Sequence, residues 1–506
     1  MLELLMEGLR VCVDPLNMGL FMLATAFGII LGAIPGIGST LAISLFLPVI
    51  FGMSPVVGTI VMIGVFNGSV YGGSVTAILI NAPGTPGSVA TCFDGYPLSR
   101  KGRASEALGI SISASFFGGI LSAICLILFL TPIAKLSLNF GPSQLFLIMI
   151  IALGTVSQLA RENTLKGLIS VCIGIMLGFI GYDVIIGVSR MTFGNVALGG
   201  GFNLVATLIG LYAIVEIMFM IQIESKTIAE DDAASRSLAI KDIMKGLITP
   251  YKNMKTLSVS SVVGAVVGVI PGIGVAVANL LAYSYAKMIS KNPEEFGKGA
   301  VEGVIAPEAA NNAVTATSLI PALALGIPGG ASAAVILGGM MILGIIPGPM
   351  LVESNPQLIG GIMVGFLVTN VLMLVLGILM TNAYQYVTRV PLNYVVAIVL
   401  AFSCFGAFVA RNNTIDLVLV LLIGFLAYAM RKAGYSIACL TLGFILSRMI
   451  EQYYHQAMMI SGAQGARIFL TGSVNIVIIL IGVAVFALPP LFKLIKTMRN
   501  KKTAES

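Results

Sequence analysis

Gly32-Ala33-Ile34-Pro35-Gly36-Ile37-Gly38 recurs as Gly268-Val269-Ile270-Pro271-Gly272-Ile273-Gly274, matching at six of seven positions. Gly28 and Gly264 extend the match upstream at the same offset of 236. A second landmark pairs Asn67 and Pro83-Gly84 with Asn312 and Pro328-Gly329 at offset 245. A third pairs Arg161-Glu162-Asn163-Thr164 with Arg411-Asn412-Asn413-Thr414 at offset 250. The first increase in offset has a visible source. The second half carries a charged insertion, Lys291 to Lys298, where the first half has only Phe51-Gly52-Met53-Ser54. Three landmarks in register read as an internal duplication, and that reading decides the fold.

Around these landmarks the chain is apolar. Of its 506 residues 58% are hydrophobic and 10% charged, against about 25% charged in an average soluble domain. Leu16 to Ile34, Ala107 to Leu130, Leu145 to Ala160, Leu165 to Gly181, Asn203 to Ile223, Leu358 to Met380, Thr414 to Met430 and Val474 to Leu488 are long apolar runs. Each is near the roughly 20 residues that span a bilayer. The expected fold is an all-α polytopic membrane protein with 10–14 hydrophobic segments, the count depending on Gly- and Pro-broken stretches. Residues 1–223 form the first transmembrane repeat and residues 257–490 the second. Between them residues 224–256 read as a polar interhelical linker, a helix on the membrane surface being one form it could take. Residues 491–506 are a basic tail. Glu3, Glu7 and Asp14 interrupt the start, so no cleavable signal peptide is expected. The six cysteines are scattered without CxxC spacing and read as small apolar fillers.

Charge reports topology. The formal charge of +7 sits mainly at span ends, which argues against nucleic acid as a partner. Lys493, Lys496, Arg499, Lys501 and Lys502 put the tail in the cytoplasm, because cytoplasmic loops concentrate Lys and Arg. After Pro83-Gly84 the first half reaches the basic loop Arg100-Lys101-Gly102-Arg103, whereas after Pro328-Gly329 the second half reaches Gly348 to Glu353 without a base. The loop after the Pro-Gly-Ile-Gly segment shows the reverse: uncharged in the first half, it carries Lys287, Lys291 and Lys298 in the second. Equivalent loops on opposite sides are the signature of inverted-topology repeats.

The motifs that could carry chemistry are the breaks. Pro35-Gly36-Ile37-Gly38-Ser39-Thr40 lies mid-membrane, where open backbone is tolerated only if buried in protein or lining a cavity. Ser39 and Thr40 then sit where a helix N-terminus offers N–H groups to an anion. A plain kink explains one such motif without a ligand; its repetition weakens that alternative. The second element is Asn81-Ala82-Pro83-Gly84-Thr85-Pro86-Gly87-Ser88, mirrored by Gly326-Ile327-Pro328-Gly329-Gly330-Ala331-Ser332. Its ligand-free alternative is an ordinary exit turn. Asn67 to Ser74, with Tyr71, leads into the first break, and Ala306 to Ala313, with Glu308, Asn311 and Asn312, into the second. Polar groups in a spanning region are functional candidates by default; for Glu308 the alternative is a carboxylate facing water beside Glu302 and Lys298. Candidate substrate-binding residues are Ser39, Thr40, Asn67, Tyr71, Asn81, Gly84, Thr85, Ser88, Asn312, Gly329, Gly330 and Ser332. Candidates for a coupling ion, with Na⁺ at the broken helices, are Gly36, Gly38, Pro83, Gly272, Gly274, Glu308, Asn311 and Pro328. No Lys or Arg falls within these breaks.

Enzyme chemistry finds little support. The only histidine is His455, no His/Cys metal cluster or Ser-His pair can be assembled, and no GxxxxGK[ST] phosphate loop exists. No cofactor is expected. A channel for ions or anions is the alternative to a transporter, but broken inverted repeats suit alternating access better.

In these motifs the chain resembles the large membrane subunit of tripartite tricarboxylate transporters, the TctA type. The resemblance rests on residues 32–38, Tyr71-Gly72-Gly73-Ser74, residues 81–87, residues 306–313 and Gly326-Ile327-Pro328-Gly329. It implies a multi-pass protein of the bacterial inner membrane, with an elevator-like relation to other ion-coupled carboxylate transporters. Its implied partners are a small integral membrane subunit and a periplasmic solute-binding protein. Cation-driven uptake of citrate or a related carboxylate is the implied activity. Importing a trianion against 100 mV costs roughly 7 kcal/mol, at about 2.3 per charge. Without an ATP site, co-transported Na⁺ or H⁺ is the natural source.

Overall fold

The computed structural model describes residues 2–158, 164–183, 185–222, 240–272, 274–387, 390–484 and 486. Arg161 to Asn163, the first part of the linker and the basic tail lie outside them. The described chain opens with helices α1 (Leu2–Val13), α2 (Pro15–Gly32), α3 (Gly38–Phe46), α4 (Pro55–Ile80), α5 (Val89–Leu98) and α6 (Ala104–Ser137). Next come α7 (Pro142–Gln158), α8 (Thr164–Gly178), a two-stranded antiparallel hairpin of β1 (Gly181–Tyr182) and β2 (Ser189–Arg190), α9 (Leu204–Ile209) and α10 (Val215–Gln222). The centre holds α11 (Ile240–Lys252), α12 (Met254–Val269), α13 (Gly274–Ile289), α14 (Glu302–Thr317), α15 (Leu319–Leu325) and α16 (Ala331–Ile342). The remainder is α17 (Leu351–Ser354), α18 (Pro356–Leu379), α19 (Thr381–Val387), α20 (Leu392–Val409), α21 (Thr414–Lys432) and α22 (Ile437–Ser461).

Six of these stretches are long and apolar enough to cross a membrane: Pro15–Gly32, Pro55–Ile80, Pro86–Ser137, Leu204–Gln222, Pro356–Leu379 and Thr414–Lys432. A bent pair, Gln464–Leu470 with Ser473–Ala484, brings the count to seven. Fewer long helices than the 10–14 segments expected reflect the many Pro and Gly residues, which cut apolar runs into shorter helices such as Met254–Val269 and Ala331–Ile342. The chain is a multi-pass, all-α membrane protein.

Two compact units form. The first contains residues 1–135 and 202–430, the second residues 136–201 and 431–506. In the first, α4 starts on an N-cap, Ser54, whose Oγ accepts the Val57 N–H at 3.4 Å, with Pro55 at the first helical position. From Gly58 to Leu79 every residue of α4 is buried, as expected of a helix without a polar face. Residues Gly303 to Thr317 of α14 are likewise all buried.

Glycines set these contacts. A Cβ on Gly28 or Gly32 of α2 would sit within 3.0 Å of the α4 carbonyls of Val65 and Ser69. On Gly264 of α12 it would strike the Ala310 carbonyl of α14, and on Gly268 the Thr317 hydroxyl. With lipid outside, helices associate through such close backbone approach.

The described part of the linker, α11, packs lengthwise along the start of α6. Gly246 meets the Glu106 carbonyl and Gly109, the Ser113 hydroxyl donates to the Leu247 carbonyl at 2.8 Å, and Phe117 meets Tyr251 edge-on at 6.4 Å. Lys245 and Arg103 both bond Glu106. This segment is therefore packed against protein along one face.

In the second unit α22 packs on α8 through Gly174, which meets the Leu440 carbonyl, and Gly443, which meets that of Val171.

Gly32→Ala should lower stability by about 1–3 kcal/mol through overpacking. Gly19→Ala, with nothing within 4 Å of its added Cβ, should be neutral or slightly stabilising. Thermal unfolding of both variants in detergent checks the contrast.

Candidate functional site

Both Pro-Gly breaks lie in the first unit, and both are held by similar backbone bonds, the one to the Pro-Gly-Ile-Gly segment shifted by two residues between them. Residues 81–85 and 326–330 are non-helical. Asn81 ends α4 at φ 55 and Gly326 ends α15 at φ 77, the left-handed caps that turn the chain back. The Gly84 N–H donates to the Gly73 carbonyl at 3.1 Å, and the Gly84 carbonyl accepts from Gly38 at 3.2 Å. In the other break the Gly329 N–H donates to the Ser318 carbonyl at 3.1 Å, and the Gly329 carbonyl accepts from Gly272 at 3.0 Å. Each break is thus seated on its own Pro-Gly-Ile-Gly segment. Gly36, Gly38, Gly272 and Gly274 all have positive φ (91, 61, 85 and 72°), so the segments need glycine there. Pro83 and Pro328 stand within the breaks, where no helical donor is lost.

Beyond the first break, Thr85 and Ser88 cap one another: the Thr85 N–H reaches Ser88 Oγ at 3.3 Å, and that hydroxyl donates to the Thr85 carbonyl at 2.9 Å. Beyond the second, Gly330 precedes α16 with no side-chain cap, leaving the first N–H groups of that helix open. There Ser332 meets Thr40 of α3, Oγ to Oγ1 at 3.2 Å, and both are half-buried. Two helix N-termini from residues 292 apart in sequence therefore converge on a hydroxyl pair. Ser39 beside it is 8% exposed.

Glu308 is fully buried, not facing water. It accepts hydrogen bonds from Thr91 on one oxygen and from Ser111 and Ser115, both at 3.0 Å, on the other. Asn311 and Asn312 are fully buried on the same helix; both amide atoms of Asn311 and the Asn312 oxygen lack a hydrogen-bond partner. Asn67 donates to Thr369 of α18 at 2.8 Å, and Tyr71 packs edge-on against Tyr384, ring centroids 6.4 Å apart. These two are held by the α18–α19 side of the unit, with no bond to either break.

Residues 18–442 match the family described as Tripartite tricarboxylate transporter TctA family. The chain belongs to this family. It is 33% identical over 503 residues to an uncharacterized 52.8 kDa protein in the TAR-I ttuC' 3' region of Agrobacterium vitis, covering 98% of both chains. A second Agrobacterium vitis protein, in the TAR-II ttuC' 3' region, is 36% identical over 211 residues, which is 42% of this chain and 87% of the relative. No solved structure matches the chain. TctA membership makes it the large subunit of a three-component transport system, with a small membrane subunit and a periplasmic binding protein as its implied partners.

Two clusters in this TctA chain escaped the sequence reading. Asp94 of α5 is fully buried; its Oδ1 accepts the N–H groups of Gly297, Gly299 and Ala300 at 2.8–2.9 Å, and its Oδ2 accepts the Tyr283 hydroxyl at 2.8 Å. A carboxylate inside an otherwise apolar segment was the available signal. In the second unit, His455 is not solitary. Its Nε2 lies 3.5 Å from Asp183 Oδ2, and Asp183, Glu451 and His455 bring their ligand atoms within 4.8 Å of one another. Arg190 occupies this group, bonding both Glu451 oxygens and lying 3.5 Å from Asp183. The N–H groups of Ile186 and Ile185, with Arg190 adding, hold the Asp183 carboxyl below its usual range. With a guanidinium already seated there, the cluster reads as an ion-pair network tying the hairpin to α22.

Asp94→Ala leaves three N–H groups, that of Ala300 buried and those of Gly297 and Gly299 partly so, and a half-buried hydroxyl unpaired, and should cost about 2–3 kcal/mol. Asp94→Asn, which keeps the accepting Oδ1, should cost clearly less. Thermal unfolding, with thiol accessibility of a cysteine placed at Lys298, measures both.

Proposed function

We propose that the chain is the permease of a binding-protein-dependent secondary transporter importing a tricarboxylate, or a related citrate-like carboxylate, across the bacterial inner membrane by Na⁺ or H⁺ symport. The observation that carries this reading is the junction at Thr40 and Ser332, where two helix N-termini and two hydroxyls converge with no Lys or Arg in either break. Each N-terminus carries about half a positive charge, so two together replace one basic side chain. Such a neutral site crosses a bilayer at far lower cost than a fixed cation. The carboxylate sits against Thr40, Ser332, Gly330 and Ser39, and the first break, with Gly84, Thr85 and Ser88, lies behind the same Pro-Gly-Ile-Gly segment.

The inverted-repeat reading is supported by recurrence. Gly28 on Val65 and Gly264 on Ala310 keep offsets of 236 and 245, and so do the Gly84–Gly73 and Gly329–Ser318 bonds at 245. Asp94 draws the Lys291–Lys298 loop onto the helix that leads into Arg100 to Arg103, as a shared cytoplasmic side requires. An elevator-like motion follows from the family resemblance.

Proteoliposomes holding the complete three-component complex should take up citrate saturably, only with the binding protein and a Na⁺ or pH gradient. Thr40→Ala and Ser332→Ala should each weaken apparent affinity about 10-fold or more, the value of one hydrogen bond to a charged group. Non-saturating conductance without the binding protein would favour a channel instead.

Topology has its own test. In a background cleared of native cysteines, a cysteine at Glu353 should label from outside intact cells and one at Gly102 should not. Labelling at both positions would end the inverted arrangement.

A further inference from the structure

We infer that Asn279, Asn311, Glu308 and Thr91 form a site for a desolvated monovalent cation of Na⁺ type where α5, α13 and α14 meet. This deepens the permease reading only in what the cation does; the site itself rests on its own packing.

The register of the three helices brings these residues onto one seam. At the tip before α5, Gly87 stands against Val275 of α13 and Asn311 of α14, whose Oδ1 lies within 3.0 Å of where a Gly87 Cβ would be. One turn further along α5, Thr91 bonds Glu308. In the middle of α5 Phe93 meets Tyr283 edge-on at 5.3 Å, and Asp94 bonds the Tyr283 hydroxyl. On α13, Val275, Asn279 and Tyr283 are spaced by four and share a face. Both ends of that face touch the tip and α5, so Asn279 faces the seam between Gly87 and Phe93. On α14, Glu308 and Asn311 are three apart and also neighbours.

What these side chains lack identifies the ligand. Asn279 is 1% exposed and Asn311 0%, and neither amide has a hydrogen-bond partner on either atom. Buried polar groups are normally paired, so four orphaned atoms on one seam require an account. Glu308 has hydroxyl partners, and among the described residues no ion pair reaches it. A carboxylate, two amide oxygens and a hydroxyl are the oxygen ligands that a hard cation takes. A proton on Glu308 would leave both amides orphaned; a bound cation meets the charge and both amide oxygens at once.

The duplication supplies an internal control. At the two offsets, Asn279 corresponds to Ile43, Glu308 to Ile63, Asn311 to Phe66 and Thr91 to Ile336, all at most 1% exposed. The same junction in the other half is therefore packed with apolar side chains. Packing does not demand the polar set, and the chain carries it only once. A cation here fastens the arm bearing the first Pro-Gly break onto α13 and α14, holding Gly84 to Ser88 in place. By linkage, a substrate that uses this arrangement tightens the cation in turn.

The test is thermal unfolding of the full-length chain in nanodiscs with NaCl, KCl or choline chloride at constant ionic strength. Na⁺ alone should raise the midpoint. Asn279→Leu and Asn311→Leu should each need at least 10-fold more Na⁺ for the same rise, while Asn279→Asp, which keeps an oxygen, and Gly19→Ala, away from both junctions, should keep the wild-type response. Should Asn311→Leu fail to fold, the Asn279 pair of variants decides. An equal rise in K⁺ or choline, or an unchanged Na⁺ response in Asn279→Leu, overturns the site. Because binding is read without transport, a Na⁺ response with these variant effects but no citrate uptake would fault the permease reading and leave the site standing.

Discussion

Inside a bilayer every backbone N–H and C=O must find a partner within the protein, and that constraint shapes this chain more than any side-chain contact. Breaking a helix with Pro-Gly frees several such groups at once. Here the freed groups are taken up by the preceding helix and by the other break: Gly84 bonds Gly73 of α4 and Gly38, and Gly329 bonds Ser318 at the end of α14 and Gly272. Each Pro-Gly-Ile-Gly segment is thus the other wall of a broken helix, and neither would be stable at membrane depth alone. The glycines of α2 and α12 follow from this. Gly32 and Gly268 let α2 and α12 close on Ser69 and Thr317, and their carbonyls then lie where a Cβ on Gly84 or Gly329 would be.

That dependence explains what the sequence revealed. Proline and glycine act through the backbone, so their positions report broken helices without knowledge of the partners. Long apolar runs likewise identified α2, α6, α18 and α21, because length and hydropathy are local properties, whereas α4, rich in glycine and polar residues, was not among them. Span number was less legible, since the same Pro and Gly residues divide apolar stretches into helices too short to count as crossings.

Residues whose meaning depends on a partner far along the chain stayed hidden. Asp94 reads as an isolated acid until the loop at Gly297 to Ala300 folds over it, and Asn279 reads as one amide in an apolar helix until its face is fixed by Val275 and Tyr283. His455 looked solitary because Asp183 lies 272 residues away in sequence. Glu308 was visible as a candidate, yet its burial among Thr91, Ser111 and Ser115 could not be read from its neighbours Lys298 and Glu302. Periodicity places a residue on a face of its own helix; it cannot say what that face meets.

The two junctions of the duplicated scaffold differ in a way that separates tasks. At the Thr40–Ser332 junction the helix ends are half-buried and bear hydroxyls, while the core positions behind them, Ile43, Ile63, Phe66 and Ile336, are apolar. At the other junction the tip is apolar, Gly87 against Val275, and the positions behind it are Asn279, Glu308, Asn311 and Thr91. Helix N-termini with hydroxyls suit an anion, and carboxylate and amide oxygens suit a cation. A duplicated gene product with identical junctions would offer two sites of one sign. On the two proposals above, divergence at four core positions in one half would give two sites of opposite sign on a common backbone, joined through the Gly38–Gly84 bond and the packing of the first break on α13 and α14. Charge neutrality would then link their occupancies: an anion held by half-charges at helix ends would be more stable with a cation in the junction behind the adjoining break. On that reading ion coupling would arise from the placement of side chains on a repeated scaffold rather than from an added domain.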